Sequence, residues 1–390
     1  MRSDAEYDLS PGLGRGLAIA AVLCGALFLA GLVVDPQHAW VGYLVGFVFA
    51  TGLALAGGVF LALLNASSSR WAAALRRVPE AMTHAIPVMG AAGLVLLFGV
   101  PTLYEWSHES AVRGNEVLEE KAVFLNPVFF AARLIGYFVL WTWTAKRLRD
   151  APPGRRRIAS GAAYMAVFAV TFSLASVDWL CSLTPEWSST MFGLVTLSGL
   201  GLSGLAAAIV LAIHLRRSGA WEGVLSEEHL HDLSKLLFGF SMFWAYIWYC
   251  QYALVWYTNM PEETVWYADR REGMWGTLTT LALVLNGLVP FVALLLRRAR
   301  RSEKALLRVA LLVLVGRAVD LFVIVGPAVE VKATLPPGAP ASPGLVVWEI
   351  APVLGFLALF ALVALRALAR GPAVRASEPG IDYSLHYHGT

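Results

Sequence analysis

The chain reads as an all-α, polytopic membrane protein of about ten transmembrane helices. Three observations predict this: its composition, the recurrence of long apolar runs, and the placement of its positive charges. Of its 390 residues, 58% are hydrophobic and only 15% charged, whereas a soluble domain is about 25% charged. Mean hydropathy is +0.64. A helix needs roughly 20 residues to cross about 30 Å of hydrocarbon, and runs of that length recur from end to end. They are continuously apolar rather than alternating. That marks them as helices and not barrel strands, because lipid obliges each helical segment to satisfy its own backbone.

The first span, 14–34, follows Asp4, Glu6 and Asp8 and ends in Val33-Val34-Asp35-Pro36 without a small-residue cleavage pattern, so it reads as retained. Spans 38–64, 84–103, 126–145 and 158–180 come next. The sixth, 190–214, contains Ser198-Gly199-Leu200-Gly201-Leu202-Ser203-Gly204, with small residues four apart. That run either lets helix backbones pack closely or offers a smooth face to a quinone ring or acyl chain. Spans 233–257, 273–296, 306–329 and 345–368 complete the set. Residues 1–370 form the membrane domain, and 371–390 a polar tail that is either pinned by partners or disordered.

Positive charges test the count, since cytoplasmic loops are enriched in Lys and Arg. With the N-terminus inside, cytoplasmic segments hold twenty-two of the thirty Lys and Arg residues, from Arg2 and Arg15 through Arg70, Arg76 and Arg77 to Arg375. The other side holds five, Arg113, Lys121, Arg270, Arg271 and Lys332. Both termini are therefore expected in the cytoplasm, and topology accounts for the basic loops without nucleic acid. The opposite loops are acidic, with Glu105, Glu109, Glu116, Glu119, Glu120, Glu262, Glu263 and Asp269. Trp106, Trp179, Trp187, Trp256 and Trp266 cluster there as well, as an aromatic belt at the headgroups or as part of a binding face.

Ionisable groups within hydrocarbon are costly, so each needs a partner, an aqueous cavity or a task. Arg317 and Asp320 are three apart in the ninth span and share a helical face, as a structural ion pair or part of a proton path. Arg133 in the fourth span is placed to pair with Asp178 at the end of the fifth if these are antiparallel neighbours. Thr171, seven residues before Asp178, extends a polar stripe inward. At the cytoplasmic edge His84 opens the third span, and His231, Asp232 and Lys235 open the seventh. These four either pass protons or serve as snorkelling and capping groups, Asp232 being a candidate helix cap.

Cys24, Cys181 and Cys250 stand alone, so covalent haem and classical iron–sulfur ligation by this chain are excluded. No nucleotide loop or hydrolytic triad is present, and no catalytic residue is assigned. Glu227, Glu228, His229, His231 and Asp232 have metal-capable side chains, but their spacing fits no defined metal site.

Two blocks go beyond generic membrane sequence. Ser176-Val177-Asp178-Trp179-Leu180-Cys181-Ser182-Leu183-Thr184-Pro185-Glu186-Trp187-Ser188-Ser189-Thr190-Met191-Phe192-Gly193 is the first. The second runs from His231-Asp232-Leu233-Ser234-Lys235 through Phe243-Trp244-Ala245-Tyr246-Ile247 and Gln251-Tyr252 to Asn259-Met260-Pro261-Glu262-Glu263-Thr264-Val265-Trp266-Tyr267. Together they resemble the ActF-type membrane subunits of bacterial alternative complex III, a quinol:electron-acceptor oxidoreductase. Cys181, Glu186 and Ser234 depart from the family pattern, where Met, His and Gly are usual.

The resemblance implies NrfD-like helix bundles in the bacterial inner membrane, on which the complex's haem and iron–sulfur subunits sit. It implies as partners an ActC-like NrfD homologue, an iron–sulfur subunit, cytochrome c subunits and a terminal cytochrome oxidase. Haem c and iron–sulfur clusters would reside on those partners, with quinone or quinol as the membrane-soluble reactant. Asp178, His231, Asp232 and Lys235 lie inside the matching motifs, whereas Arg133, His84, Arg317 and Asp320 rest on burial alone. Two other readings compete: a stand-alone secondary transporter, and the quinol-oxidising subunit itself.

Overall fold

The computed structural model describes residues 7–67, 70–330, 345–372, 374 and 378–387. Arg2, Asp4, Glu6, Lys332 and Arg375, used above, lie outside these. No strand occurs among the described residues. Ten long helices fall on the ten expected runs: α1 (Pro11–Val34), α2 (Pro36–Ser67), α3 (Ala74–Leu103), α4 (Pro127–Asp150), α5 (Arg155–Trp179), α6 (Phe192–Arg217), α7 (Glu227–Thr258), α8 (Gly273–Leu295), α9 (Glu303–Glu330) and α10 (Val347–Leu368).

Nine of these are long and apolar enough to cross a membrane. The exception is α7, the expected seventh span. It is 32 residues long, about 48 Å at 1.5 Å per residue. Its middle is rich in Trp and Tyr, with Gln251 among them, where the others carry Leu, Val and Ala, and the polar atoms of the aromatic side chains lower hydropathy although their rings are apolar.

Local chemistry sets the helix starts. Ser10 accepts from the Leu13 N–H at 3.3 Å ahead of Pro11, and Asn126 accepts from the Phe129 N–H at 2.9 Å ahead of Pro127. In both, a polar cap precedes a proline at the first helical position, where the missing N–H costs nothing. The cap of α7 is Ser226, in a reciprocal capping box with His229. Asp232 is thus an interior residue and not the cap the sequence suggested.

Helices α2 to α5 close into one ring of four, each packing on the next and α5 back on α2. Helices α6 to α9 close into a second, and α1 packs beside α10. The rings meet where α2 touches α6 and α9, and α5 touches α6. Helix α2 is apolar on all sides and buried on all sides, as expected of a helix surrounded by others. By contrast α1 has the highest hydropathy and only 11% of its apolar window buried, the signature of a face turned to lipid.

The small-residue run of α6 serves packing. Gly199 lies under the Arg317 guanidinium, Gly201 under the Phe240 ring and Gly204 against Ala56.

Interhelical loops gather at two ends. At the basic end Arg217 pairs with Glu303 at 2.8 Å and Arg301 with Glu228 at 2.6 Å. The acidic end carries the short helices Glu109–Val112, Glu116–Lys121 and Pro261–Ala268. The described part of the tail, including the short helix Ile381–Leu385, folds onto the basic end of its own chain. Ser384 reaches the Trp71 carbonyl and the Ala74 N–H, and Glu378 reaches Arg157.

Candidate functional site

At the acidic end, Arg133 on α4 and Asp178 on the last turn of α5 form the expected pair. Arg133 binds both carboxylate oxygens, Nη2 to Oδ1 at 2.7 Å and Nε to Oδ2 at 2.9 Å. Its third branch donates to the Phe124 carbonyl at 2.9 Å. Phe124 and Phe129 lie against the guanidinium, 3.9 and 4.3 Å from ring centre to charge. Tyr137, one turn beyond Arg133 and so on the same face, donates to Asp178 Oδ2 at 2.6 Å. The carboxylate is 1% exposed and held by three charge-assisted contacts. The polar stripe continues inward, where Trp141 Nε1 donates to Thr171 Oγ1 at 2.7 Å.

In the second ring Arg317 and Asp320 form an ion pair within α9, both about 4% exposed. A cavity of about 20 Å³ opens beside Arg317, lined also by Ser176, Trp179, Thr196 and Ser203. That volume holds about one water. Trp179 is one of its lining residues, and its indole N–H is buried with no hydrogen-bond partner among the described residues.

Sequence reasoning missed the polar centre of the second ring. Helix α8 contains a π-helical turn, Val284–Leu288, a feature frequent at functional sites. Inside it Asn286 is 0% exposed, and neither atom of its amide has a partner among the described residues. Pro290 has no N–H to offer the Asn286 carbonyl, and Ser241 on α7 donates to it instead. The Asn286 amide lies against Gly316, next to Arg317. The signal was legible: an Asn in an apolar run, four residues before a proline.

The four residues expected to form an inner group separate into two places at the basic end. Asp232 accepts from Lys235 at 3.0 Å and from Tyr387 of the tail at 2.6 Å, and His231 stands 3.9 Å from Asp232. The Lys235 side chain is 41% exposed, in keeping with a snorkelling role.

His84 does not join this group. It sits at the break in α3 ahead of Pro87, its ring on the Glu80 carbonyl at 3.0 Å. Helix α3 packs chiefly on α2, α4, α6 and α10, and among the described residues no hydrogen bond or ion pair joins His84 to His231, Asp232 or Lys235.

His229, which the sequence offered only as a metal-capable side chain at no defined site, is fully buried. It bridges the Ser226 cap at 2.7 Å and the Trp71 carbonyl at 3.0 Å. His229 and His231 precede the expected span 233–257. Burial pushes His229 below the ordinary histidine range, opposed by the Trp71 carbonyl and Asp232. His231 is lowered by desolvation and by Lys235, and Asp232 opposes the shift.

A second network went unnoticed because Arg76 and Arg77 read as topological charges. Both are buried at the start of α3. Arg76 Nε lies 3.0 Å from Glu80 Oε1, itself 1% exposed, and Arg76 Nη1 donates to Asn65 Oδ1. Arg77 donates at 3.3 Å to the Ala367 and Leu368 carbonyls at the end of α10, where a cation complements the helix terminus.

The two sequence blocks meet at the acidic end. Trp187 and Trp266 stack with ring centres 4.8 Å apart and planes 14° from parallel. Trp187 Nε1 also donates to the Glu263 carbonyl at 3.2 Å. Among the described residues no three His, Cys, Asp or Glu side chains converge as a metal-ligand set. No protein-family model matches this chain, and no curated protein does either.

Proposed function

We propose that this chain is a membrane subunit of a respiratory quinol:electron-acceptor oxidoreductase of the alternative complex III type. In this reading it crosses the bacterial inner membrane ten times, α7 included, with both termini cytoplasmic and the acidic end outside. It anchors haem- and iron–sulfur-bearing partners there and carries protons between the two faces. The two rings of four helices with α1 and α10 beside them suit an NrfD-like bundle.

The observation that carries the proposal is the joining of the two motif blocks. Trp187 from one stacks on Trp266 of the other and donates to the Glu263 carbonyl, so the two blocks are locked together at the acidic end. An aromatic belt needs only depth in the membrane, whereas stacking plus a directed hydrogen bond fixes the helix that presents Glu262 and Val265, both exposed, to a partner.

The proton route has three stations. Asp178 is the outer one, and the water-sized cavity at Trp179 leads toward Arg317 and Asp320. Asn286 and Ser241 are the buried polar groups on the way to the Asp232 and Lys235 pair.

Quinol oxidation fits this chain less well. A groove of about 410 Å³ between α1, α2, α3 and α10 is lined by Phe28, Val88, Ala92, Phe356 and other apolar groups. Its one hydroxyl, Tyr43, already donates to the Ala92 carbonyl at 2.8 Å. Quinol recognition needs polar partners for the ring oxygens, and this groove suits an acyl chain.

Purification from native membranes in mild detergent tests the assignment. Haem absorbance and iron–sulfur proteins should copurify with quinol-oxidising activity. A haem-free monomer that moves a solute when reconstituted would establish a transporter instead. For the route, the Asp178→Asn/Arg133→Gln pair keeps hydrogen bonding while removing both charges. It should retain the partner haems and lower proton-coupled turnover, and unchanged coupling would eliminate Asp178 as a station.

A further inference from the structure

At the basic end a cavity of about 270 Å³ lies between the end of α2, the start of α3, the α4–α5 turn and the tail. Asn65, Arg70, Arg76, Gly154, Arg157 and Glu378 supply its polar lining. Two buried donors there go unused. Arg76 Nη2 and Asn65 Nδ2 have no hydrogen-bond partner among the described residues, although their side chains are otherwise fixed by the contact between Arg76 Nη1 and Asn65 Oδ1. Arg76 is 4% exposed and Asn65 2%. A buried donor left unpaired costs about 1–3 kcal/mol, more when charged, so two of them in one cavity call for an acceptor.

The surroundings specify its charge. Arg70, Arg76 and Arg157 against Glu378, and against the Glu80 that pairs with Arg76, leave the site positive by one. Arg70 is steadied by the Tyr383 ring, 4.8 Å from its guanidinium. Helix α5, 25 residues long, starts at the cavity wall behind Gly154, which has φ +100° and offers no side chain to cap the first N–H groups. An uncapped helix start beside arginines is the arrangement that binds phosphate. Leu64 and Ile158 form an apolar rim, Ile158 being 44% exposed.

We propose that this cavity binds a phosphate group, presented by the headgroup of an anionic phospholipid or by a free phosphoester. Arg76, Asn65 and Arg157 hold the oxygens, the start of α5 faces the charge, and the apolar rim accommodates the first carbons of a lipid. Because Arg157 and Glu378 join α5 to the tail at this point, an occupied cavity also fastens the tail.

The protein purified in mild detergent is titrated separately with dioleoylphosphatidylglycerol, dioleoylphosphatidylcholine and inorganic phosphate. Thermal unfolding and native mass spectrometry follow binding. Stabilisation by the anionic lipid alone identifies a lipid headgroup, and equal protection by inorganic phosphate identifies a free phosphate group. Asn65→Asp keeps the acceptor for Arg76 and replaces the unused donor with a negative charge. It should fold normally and weaken binding at least tenfold. Arg70→Gln, at an exposed residue, should weaken it about threefold, and Arg15→Gln on α1 should leave it within twofold. Equal retention of phosphatidylcholine and phosphatidylglycerol, no response to any of the three, or wild-type binding by Asn65→Asp would each overturn the proposal.

Discussion

Arg270 donates through Nε to the Val323 carbonyl at 2.9 Å, and Val323 is the residue whose helical partner is missing because Pro327 has no N–H. A second branch takes the Ile324 carbonyl at 2.9 Å and a third the Trp266 carbonyl at 2.7 Å. The Trp266 ring lies 3.7 Å from the guanidinium. One side chain thus repairs the break in α9 and fixes the Pro261–Ala268 helix that carries Trp266. Arg270→Met should destabilise the protein by about 2–4 kcal/mol, since it strands buried carbonyls. In a Pro327→Ala background the loss should be smaller, because the introduced alanine supplies the N–H that Val323 lacks. Detergent unfolding midpoints of the four proteins measure the coupling.

The Arg133–Asp178 contact should behave as a unit. Arg133→Met alone strands a buried carboxylate and should cost about 3–5 kcal/mol, while the double variant with Asp178→Leu should recover most of that. Equal losses in the single and double variants would mean that the phenylalanine sandwich, and not the charge pair, dominates.

Gly199 leaves room for Arg317. A Cβ added there would lie 2.5 Å from the guanidinium carbon. Gly199→Ala should therefore cost about 1–3 kcal/mol through overpacking. Combining it with Arg317→Leu and Asp320→Leu should remove most of that penalty, as read from the midpoint of thermal unfolding.

His229 gives the attachment of the tail a pH dependence of definite sign. Burial lowers its affinity for protons in the folded state, so the unfolded chain binds protons more readily and acid favours unfolding. The contribution is complete above about pH 6.5, the ordinary histidine value, and falls away as pH drops below it. Protonation would set a donor against the Ser226 N–H, now 3.3 Å from Nδ1. Protease cutting near Tyr387 should increase between pH 7 and pH 5.5, and His229→Gln should flatten that change.

Hydrophobic length is a one-dimensional property, which is why the helices, the two-ended charge distribution and the Arg317–Asp320 spacing were legible from sequence. The Arg133–Asp178 pair was legible because a short turn makes α4 and α5 antiparallel neighbours. The grouping of His84 with Lys235 failed for a different reason. Both lie near the same membrane edge, but edge depth says nothing about which helices pack together, and α3 packs chiefly on α2, α4, α6 and α10. The Arg76, Asn65 and Glu378 cluster was hidden because the positive-inside tendency already accounted for its arginines. A sufficient explanation at one level concealed burial at another. Asn286 was visible in the sequence, but its unsatisfied amide depends on a π turn that residue patterns do not announce.

The contact between Glu378 and the Arg76–Arg157 pair also sets an order of events. Arg76 leaves the ribosome about three hundred residues before Glu378 does, a delay of roughly 15–60 s at about 5–20 residues per second. For that interval the start of α3 waits beside the membrane with one of its two carboxylate partners still unmade. The newborn bundle is then open at one end, and an anionic lipid in the leaflet can occupy the arginines before the tail arrives. The later-made tail would then close over a ligand already in place.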